Sequence, residues 1–154
     1  MPESWNDTFI TVIPKSETPE TIGQFRPISC CNFIYKFITK IMTNRLQPWL
    51  LVLVNELQSS FTSGRQIQDN IIIVHEVLNH FKKNRAGSRK DMMMKLDMRK
   101  AYDLVEWDFL LELLSAYSFN NTWCRWVKAC VSTVKFRLLF NGEPSTVFTP
   151  SRGI

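Results

Sequence analysis

The sequence predicts an α+β fold of one domain, and two observations lead to this prediction. Short extended segments, β-branched or alternating in polarity, occur in separate parts of the chain, and stretches with a helical period of apolar residues lie between them. In order, the segments are strand, helix, helix, strand, helix, helix and hairpin. At 154 residues the chain is long enough to bury a core.

The first segments of the chain predict extended structure. Residues 8–13 are β-branched and alternate in polarity up to Pro14, which is typical of a strand. Residues 15–21 predict a turn. Residues 25–30 predict a second extended segment, because Pro27 disfavours helix at the residue before it.

Two helices are predicted next. The first begins after Asn32, whose side chain suits an N-cap, and Pro48 is expected to end or kink it. Residues 59–64 predict a loop. The second helix has Asp69 near its start and an apolar stripe at Ile71, Val74, Leu78 and Phe81.

The second half of the chain predicts a buried strand at residues 92–97, two helices and a hairpin. Asp103 and Glu106 have the spacing of a capping box, which predicts a helix carrying Trp107, Leu110, Leu111 and Leu114. The next apolar stripe predicts a helix with Trp123, Trp126, Val127 and Cys130. Residues 135–148 predict a hairpin around an Asn-Gly turn.

Composition excludes several classes of protein. Apolar residues make up 45% of the chain and charged residues 21%, as in globular rather than disordered proteins. No apolar run reaches the roughly 20 residues of a membrane span, and the N-terminus lacks the pattern of a signal peptide. The four cysteines include no Cys-x-x-Cys pair, so idle thiols are expected rather than a zinc site or a disulfide framework.

The net charge of +5 is unevenly distributed along the chain. Residues 82–100 contain eight cations against two carboxylates, Asp91 and Asp97. Such a stretch can neutralise several phosphates of a nucleic acid, and it can equally be a solvated surface loop.

Asp97 ends the predicted strand at residues 92–97. A carboxylate held on a rigid strand suits Mg²⁺, which prefers a few carboxylates together with phosphate oxygens and water. Phosphoryl-transfer enzymes of the two-metal type place two such ions about 4 Å apart. Taken alone, the position also fits a carboxylate that only terminates the strand.

The run around Asp97 resembles a known motif. Residues 95–107, Lys95-Leu-Asp-Met-Arg-Lys-Ala-Tyr-Asp-Leu-Val-Glu-Trp107, closely resemble the first palm motif of non-LTR (LINE-type) retrotransposon reverse transcriptases, especially plant ones. Other blocks resemble the same family in the same order. They include Ile10-Thr-Val-Ile-Pro-Lys15, Phe25-Arg-Pro-Ile-Ser29, Gln58-Ser-Ser-Phe61, Gly64-Arg-Gln-Ile67 and Pro150-Ser-Arg-Gly-Ile154.

The resemblance implies a partial right-hand polymerase with an incomplete antiparallel sheet packed with helices. The fingers would take residues 1–90 and the first half of the palm residues 91–154, approximately. The implied activity is RNA-directed DNA synthesis by a two-metal mechanism. It needs an RNA template, a DNA primer, dNTP and Mg²⁺, and takes place in the nucleus or cytoplasm.

Matching positions carry roles by resemblance. Asp97 corresponds to the catalytic, metal-binding aspartate. The Met98 backbone carbonyl corresponds to a second group that helps to hold the ion. Tyr102 corresponds to an aromatic steric gate that excludes ribonucleotides. Arg26 and Lys15 correspond to residues that contact the triphosphate. Arg65, Gln66 and Lys100 correspond to residues that contact the template or the nucleotide. Purely structural roles stay open for Tyr102, Arg26, Arg65 and Gln66.

In the family, Ser-Arg-Gly-Ile continues into a block like Arg-Gln-Gly-Asp-Pro-Leu-Ser and then a hairpin like Tyr-Ala-Asp-Asp, which supplies two more metal carboxylates. Neither lies within the 154 residues, so we expect this chain alone to be inactive. Three alternatives stay open: a protein like group II intron maturases, a non-catalytic nucleic-acid-binding module, and a fragment made poorly soluble by exposed apolar surface.

Overall fold

The computed structural model describes residues 2–83, 92–98 and 100–154. The chain forms two compact units: the first unit is Met1–Ile41 with Lys100–Ile154, and the second unit is Met42–Arg99. Residues 84–91 and 99 of the basic stretch lie outside the described residues. None of the helices described is both long and apolar enough to cross a membrane.

A four-stranded sheet forms the first unit's centre. Its strands are β1 (Asp7–Pro14), β2 (Phe25–Cys31), β3 (Lys135–Phe140) and β4 (Glu143–Pro144), in the order β2-β1-β3-β4. The α+β class is therefore confirmed. The sheet is mixed rather than antiparallel, because β1 and β3 pair in parallel. Parallel partners need a long connection between them, and here the chain between β1 and β3 contains the four α-helices described.

The predicted hairpin at residues 135–148 is confirmed. Asn141 and Gly142 have φ angles of 51° and 86°, and two positive φ angles are what the tight two-residue turn of a twisted hairpin requires. β4 is only two residues long, but Phe136 and Phe148 still exchange backbone hydrogen bonds of 2.9 and 3.0 Å. The hairpin therefore extends beyond the residues assigned to its second strand.

Four helices are formed close to the predicted positions: α1 (Phe33–Leu53), α2 (Ile67–Lys83), α3 (Trp107–Ala116) and α4 (Asn121–Ser132). The Asn32 side chain caps α1, since its Oδ1 accepts from the Ile34 amide at 2.9 Å. α1 continues past Pro48 to Leu53, so the expectation that Pro48 ends the helix is wrong. Proline removes one helical hydrogen bond, and here that loss does not end the helix.

The predicted strand at residues 92–97 is wrong. Residues 92–98 have no regular secondary structure, and their side chains are exposed; Leu96 retains 82% of its accessible surface. An apolar run becomes a strand only when a neighbouring strand accepts its backbone hydrogen bonds and covers its side chains. No strand in the described part of the chain does so for residues 92–98.

The capping box predicted for α3 is also wrong, although the helix itself is confirmed. α3 begins at Trp107, and its N-cap is Glu106, whose side chain makes no capping hydrogen bond. Asp103 lies three residues earlier, in a turn. The backbone of this turn accepts hydrogen bonds from the amides of Gly153 and Ile154, which fix it in place of a local side-chain cap.

The buried centre of the first unit is small and partly polar. Among the described residues, the most buried are Asn6 and Thr8, with 0% and 2% exposure, together with Cys130 at 9% and Thr62, in the second unit, at 7%. None of the cysteines, all of which lie in the described part, forms a disulfide. Many large apolar side chains stay exposed, Ile22 and Phe33 among them.

Candidate functional site

Lys15 and Arg26 lie at one end of the hairpin formed by β1 and β2. Arg26 pairs with Ile13 across the two strands. The Lys15 amide donates to the Gln24 carbonyl at 2.8 Å, which continues the pairing beyond the last residue of β1. Lys15 thus comes two residues after the backbone partner of Arg26. The two residues predicted to contact a triphosphate therefore lie at the same end of the β1–β2 hairpin.

The turn that joins β1 to β2 is closed by Gln24. Its Oε1 accepts from the backbone amides of Glu20 at 2.6 Å and Thr21 at 3.0 Å. The Lys15 ammonium donates to the Gly23 carbonyl at 2.8 Å in the same turn. Lys15 is therefore held at the turn by its own side chain, and Arg26 is exposed beside it.

The predicted metal position lies in the second unit. Asp97 and Met98 belong to the irregular segment 92–98 and are exposed. In the described residues, no three Asp, Glu, His or Cys side chains lie together as a metal site requires. Because Mg²⁺ needs several oxygen ligands, Asp97 by itself does not form a magnesium site.

Arg65 is engaged with the backbone of the second unit. Its guanidinium donates to four carbonyls at the end of α1 and in the turn that follows, namely Asn55 at 2.5 Å, Gln58 at 2.9 Å, Val54 at 3.2 Å and Leu51 at 3.4 Å. A cation at this end of a helix also complements the helix dipole. The contacts are those of a C-terminal cap, which is the structural role that the sequence left open. Gln66, beside it, is exposed at the start of α2.

Tyr102 and Lys100 lie in the first unit, in exposed turns before α3. Lys100 has a φ of 50°, in the left-handed region. The turn that contains Tyr102 is bound by the segment 152–154: the Ile154 amide donates to the Tyr102 carbonyl at 3.2 Å, and the Gly153 amide donates to the Val105 carbonyl at 2.8 Å. The backbone around Tyr102 is therefore set by residues some 50 positions away.

Two side chains strengthen this contact. The Trp107 indole donates from Nε1 to the Gly153 carbonyl at 2.7 Å, from a half-buried position at the start of α3. Arg152 and Glu106 form an ion pair of 3.2 Å, with both side chains more than half exposed. An exposed pair of this kind contributes little stability. The indole hydrogen bond is the stronger of the two.

Asn6 joins the start of β1 to the end of α4. Its Nδ2 donates to the Cys130 carbonyl and to the Thr133 hydroxyl, both at 3.0 Å. Tyr35 donates to the same Cys130 carbonyl at 3.1 Å. Burial raises the pKa of Tyr35 to about 12 and also raises the pKa of the Cys130 thiol, because a buried site disfavours the charged form.

A cavity of about 460 Å³ opens beside this cluster in the first unit. Its lining includes Asn6, Thr8 and Tyr35, and it reaches Asp103 and Gly153 in the segments around Tyr102. The lining is mainly apolar in character, and it contains polar atoms at the sheet. The cavity therefore lies between the sheet, α4 and the turn that contains Tyr102.

Sequence reasoning missed three residues that shape this unit. Asn6 has no local signal, because nothing in the residues around it distinguishes a buried amide that bonds to the end of a helix remote in sequence. Trp107 fits the apolar stripe of α3, but an indole at a helix start also has a donor that needs a partner. Gly153 could have been found from its residue type, because glycine near a motif often marks a positive φ, here 93°.

Comparison with known proteins finds one family and two relatives. A family model described as reverse transcriptase (RNA-dependent DNA polymerase) matches residues 13–154. The chain is 27% identical over 154 residues to the Transposon TX1 uncharacterized 149 kDa protein of Xenopus laevis, covering 100% of this chain. It is 28% identical over 145 residues to the Retrovirus-related Pol polyprotein from type-2 retrotransposable element R2DM of Drosophila melanogaster, covering 92% of this chain. The chain spans only 12% and 13% of the length of these two relatives.

Proposed function

The chain belongs to the reverse transcriptase family, as its motifs predicted, and from this membership we propose that it supplies the nucleotide-binding part of an RNA-directed DNA polymerase. The observation that carries the proposal is the extent of the match, since residues 13–154 contain every residue predicted to bind nucleotide, metal or template. The whole protein would add dNTP to a DNA primer on an RNA template, in the nucleus or cytoplasm. Its fingers would end near residue 90, where the palm begins.

In this proposal Lys15 and Arg26 hold the triphosphate of the incoming dNTP. Their place at the same end of the β1–β2 hairpin supports it, because two nearby cations can bind separate phosphate oxygens. Fixed positive charges at a triphosphate also stabilise the charge that develops during phosphoryl transfer. The Gly23 contact of the Lys15 ammonium leaves that ammonium two further N–H donors.

Tyr102 is proposed to lie against the sugar of the same nucleotide, where a 2′-hydroxyl would collide with its ring. Its side chain is exposed, with 56% of its surface accessible, so a ligand can reach it. Arg65, Gln66 and Lys100 are proposed to contact the template or nucleotide. For Arg65 this contact would have to be made in addition to its four backbone hydrogen bonds.

Enzymes of this family use a divalent metal, and we propose Mg²⁺ as the ion. Asp97 and the Met98 carbonyl would each supply one ligand, with further carboxylates from outside the described residues. Two-metal catalysis needs those further carboxylates, so we expect Asp97 and the Met98 carbonyl by themselves not to support DNA synthesis.

Binding of dTTP by the purified chain tests the nucleotide site. By isothermal titration calorimetry, Arg26→Ala should weaken binding about tenfold, the effect of one charge-assisted hydrogen bond. Arg45→Ala is the matched control, since Arg45 is exposed on α1 and has no predicted role. Unchanged dTTP affinity in Arg26→Ala would refute the triphosphate assignment.

Primer extension on poly(rA)/oligo(dT) with Mg²⁺ tests the catalytic part of the proposal. The chain should incorporate no dTTP. Incorporation that Asp97→Ala abolishes would overturn the proposed inactivity of these 154 residues. It would also establish Asp97 as a catalytic residue.

A non-catalytic nucleic-acid-binding role is the second candidate, and the charge at the end of α2 favours it. The last turn of α2 contains His80, Lys82 and Lys83, and the basic stretch follows. Phosphate contacts of this kind lose affinity steeply between about 50 and 200 mM salt. RNA binding that stays constant over this range would exclude the basic stretch as a phosphate contact.

A further inference from the structure

The turn that contains Tyr102 depends on another part of the chain for its conformation. Residues 101–106 form no helix or strand, and the carbonyls of Tyr102 and Val105 accept hydrogen bonds from Ile154 and Gly153. A turn held this way can move when its partner segment moves. The position of Tyr102 is therefore linked to the conformation of residues 152–154.

We propose that Trp107 and Gly153 are positioning residues that fix Tyr102 and so set the selection between deoxyribonucleotides and ribonucleotides. The selection part rests on the nucleotide site proposed above. Neither residue needs to touch the nucleotide. They act through the backbone of the turn that contains Tyr102.

Trp107 acts by fixing Gly153. Its ring is anchored at the first residue of α3, and its Nε1 donates to the Gly153 carbonyl at 2.7 Å. The neighbouring peptide amides, those of Gly153 and Ile154, are the two donors that bind the Tyr102 turn. The Gly153 carbonyl and the Ile154 amide belong to the same peptide group, so the indole orients the group that carries one of these donors.

Gly153 acts by permitting close approach. A Cβ built on it would lie 3.1 Å from the Asp103 carbonyl oxygen and 3.2 Å from the Asp103 Cα. Both are backbone atoms, so they cannot rotate away as a side chain can. The φ of 93° would strain any other residue at this position. Any side chain at 153 must therefore push the segment away from the turn that contains Tyr102.

Fluorine NMR of the chain labelled with 3-fluorotyrosine measures the position of Tyr102 directly. The chain has three tyrosines, and Tyr→Phe variants assign their signals. Trp107→Phe keeps an aromatic ring but removes the indole donor, and Gly153→Ala adds the obstructing Cβ. Both should shift or broaden the Tyr102 signal. The Tyr35 signal, from the β1–α4 side of the unit, should stay in place if the fold is intact.

Two glycine variants serve as controls. Gly23→Ala adds a Cβ in open space, and Gly142→Ala adds one in open space at a φ of 86°. The first controls for the substitution itself and the second for strain from positive φ. A Tyr102 signal that is unchanged in both Trp107→Phe and Gly153→Ala, or that moves equally in Gly142→Ala, would overturn the positioning role.

Binding of dCTP and CTP, which differ only in the 2′-hydroxyl, tests the link to sugar selection. Trp107→Phe should reduce the dCTP preference by up to about tenfold, the effect of one lost hydrogen bond, through weaker discrimination rather than weaker triphosphate binding. An unchanged preference despite a displaced Tyr102 signal would refute the selection role. If the unsubstituted chain binds neither nucleotide while the Tyr102 signal still responds, the nucleotide site is refuted and the positioning of Tyr102 stands.

Discussion

Replacing Arg65 by lysine separates its structural role from a contact with template. Lysine keeps the positive charge but loses the planar fork that reaches four carbonyls around the end of α1. A phosphate contact tolerates this change because it depends mainly on charge. A backbone cap does not tolerate it, since one ammonium cannot span the same acceptors.

The size of the effect follows from the geometry. Two of the four hydrogen bonds are short, at 2.5 Å to Asn55 and 2.9 Å to Gln58, and two are long, at 3.2 and 3.4 Å. Counting the short pair at about 1 kcal/mol each for a partly exposed site, Arg65→Lys should lower the free energy of unfolding by about 2 kcal/mol. For a chain of this length, that lowers the melting temperature by about 6 °C.

Circular dichroism at 222 nm, followed in urea and on heating, measures this loss, and fluorescence anisotropy with labelled RNA measures binding. Gln66→Ala is the control, because Gln66 is an exposed neighbour that was also predicted to contact the template or nucleotide. Arg65→Lys should destabilise the chain and leave RNA affinity within about twofold, since the charge that a phosphate requires is kept. Unchanged stability together with a large loss of RNA binding would refute the cap.

Two further predictions concern the cluster that joins β1 to α4. Asn6→Ala should lower the free energy of unfolding by about 1–2 kcal/mol, because it removes two hydrogen bonds of a buried side chain. Urea unfolding followed by tryptophan fluorescence measures this, with Asn121→Ala, at an exposed position, as the control. Equal unfolding midpoints for the two variants would contradict the prediction. The pKa of Tyr35 is raised to about 12 by burial, so the folded state keeps a proton that the unfolded chain loses near pH 10. Stability from this group is therefore complete below about pH 10 and lost as pH rises towards 12, and Tyr35→Phe should flatten the stability profile over that window; an identical profile in the variant would contradict the assignment.

Much of the local structure was predictable because its causes are local. β1 follows from alternating β-branched residues, and the Asn141-Gly142 turn follows from two residues that accept positive φ. The cap at Asn32 follows from a side-chain oxygen placed before a helical period. Each of these signals acts within a few residues, so the sequence reveals it directly.

The errors share one physical origin, which is dependence on a distant partner. The apolar residues 92–97 have the composition of a strand, but a strand forms only beside another strand. Asp103 and Glu106 have the spacing of a cap, but hydrogen bonds from Gly153 and Ile154 fix that turn instead. The carbonyls at the end of α1 likewise accept hydrogen bonds from Arg65, more than ten residues further along the chain.

The sequence by itself determined the family, and it predicted the positions of the nucleotide and metal contacts, because a motif is a pattern of residue types. Only the tertiary structure showed that Lys15 and Arg26 lie at the same end of a hairpin and that Arg65 caps the end of α1, since strand register and hydrogen-bond partners are set between distant segments. Tyr102 illustrates the contribution of the sequence and that of the tertiary structure. Its position in a motif predicted a role at the nucleotide, and the fold decided that residues 152–154 bind the backbone of its turn, because an irregular turn has too few local hydrogen bonds to fix its own conformation.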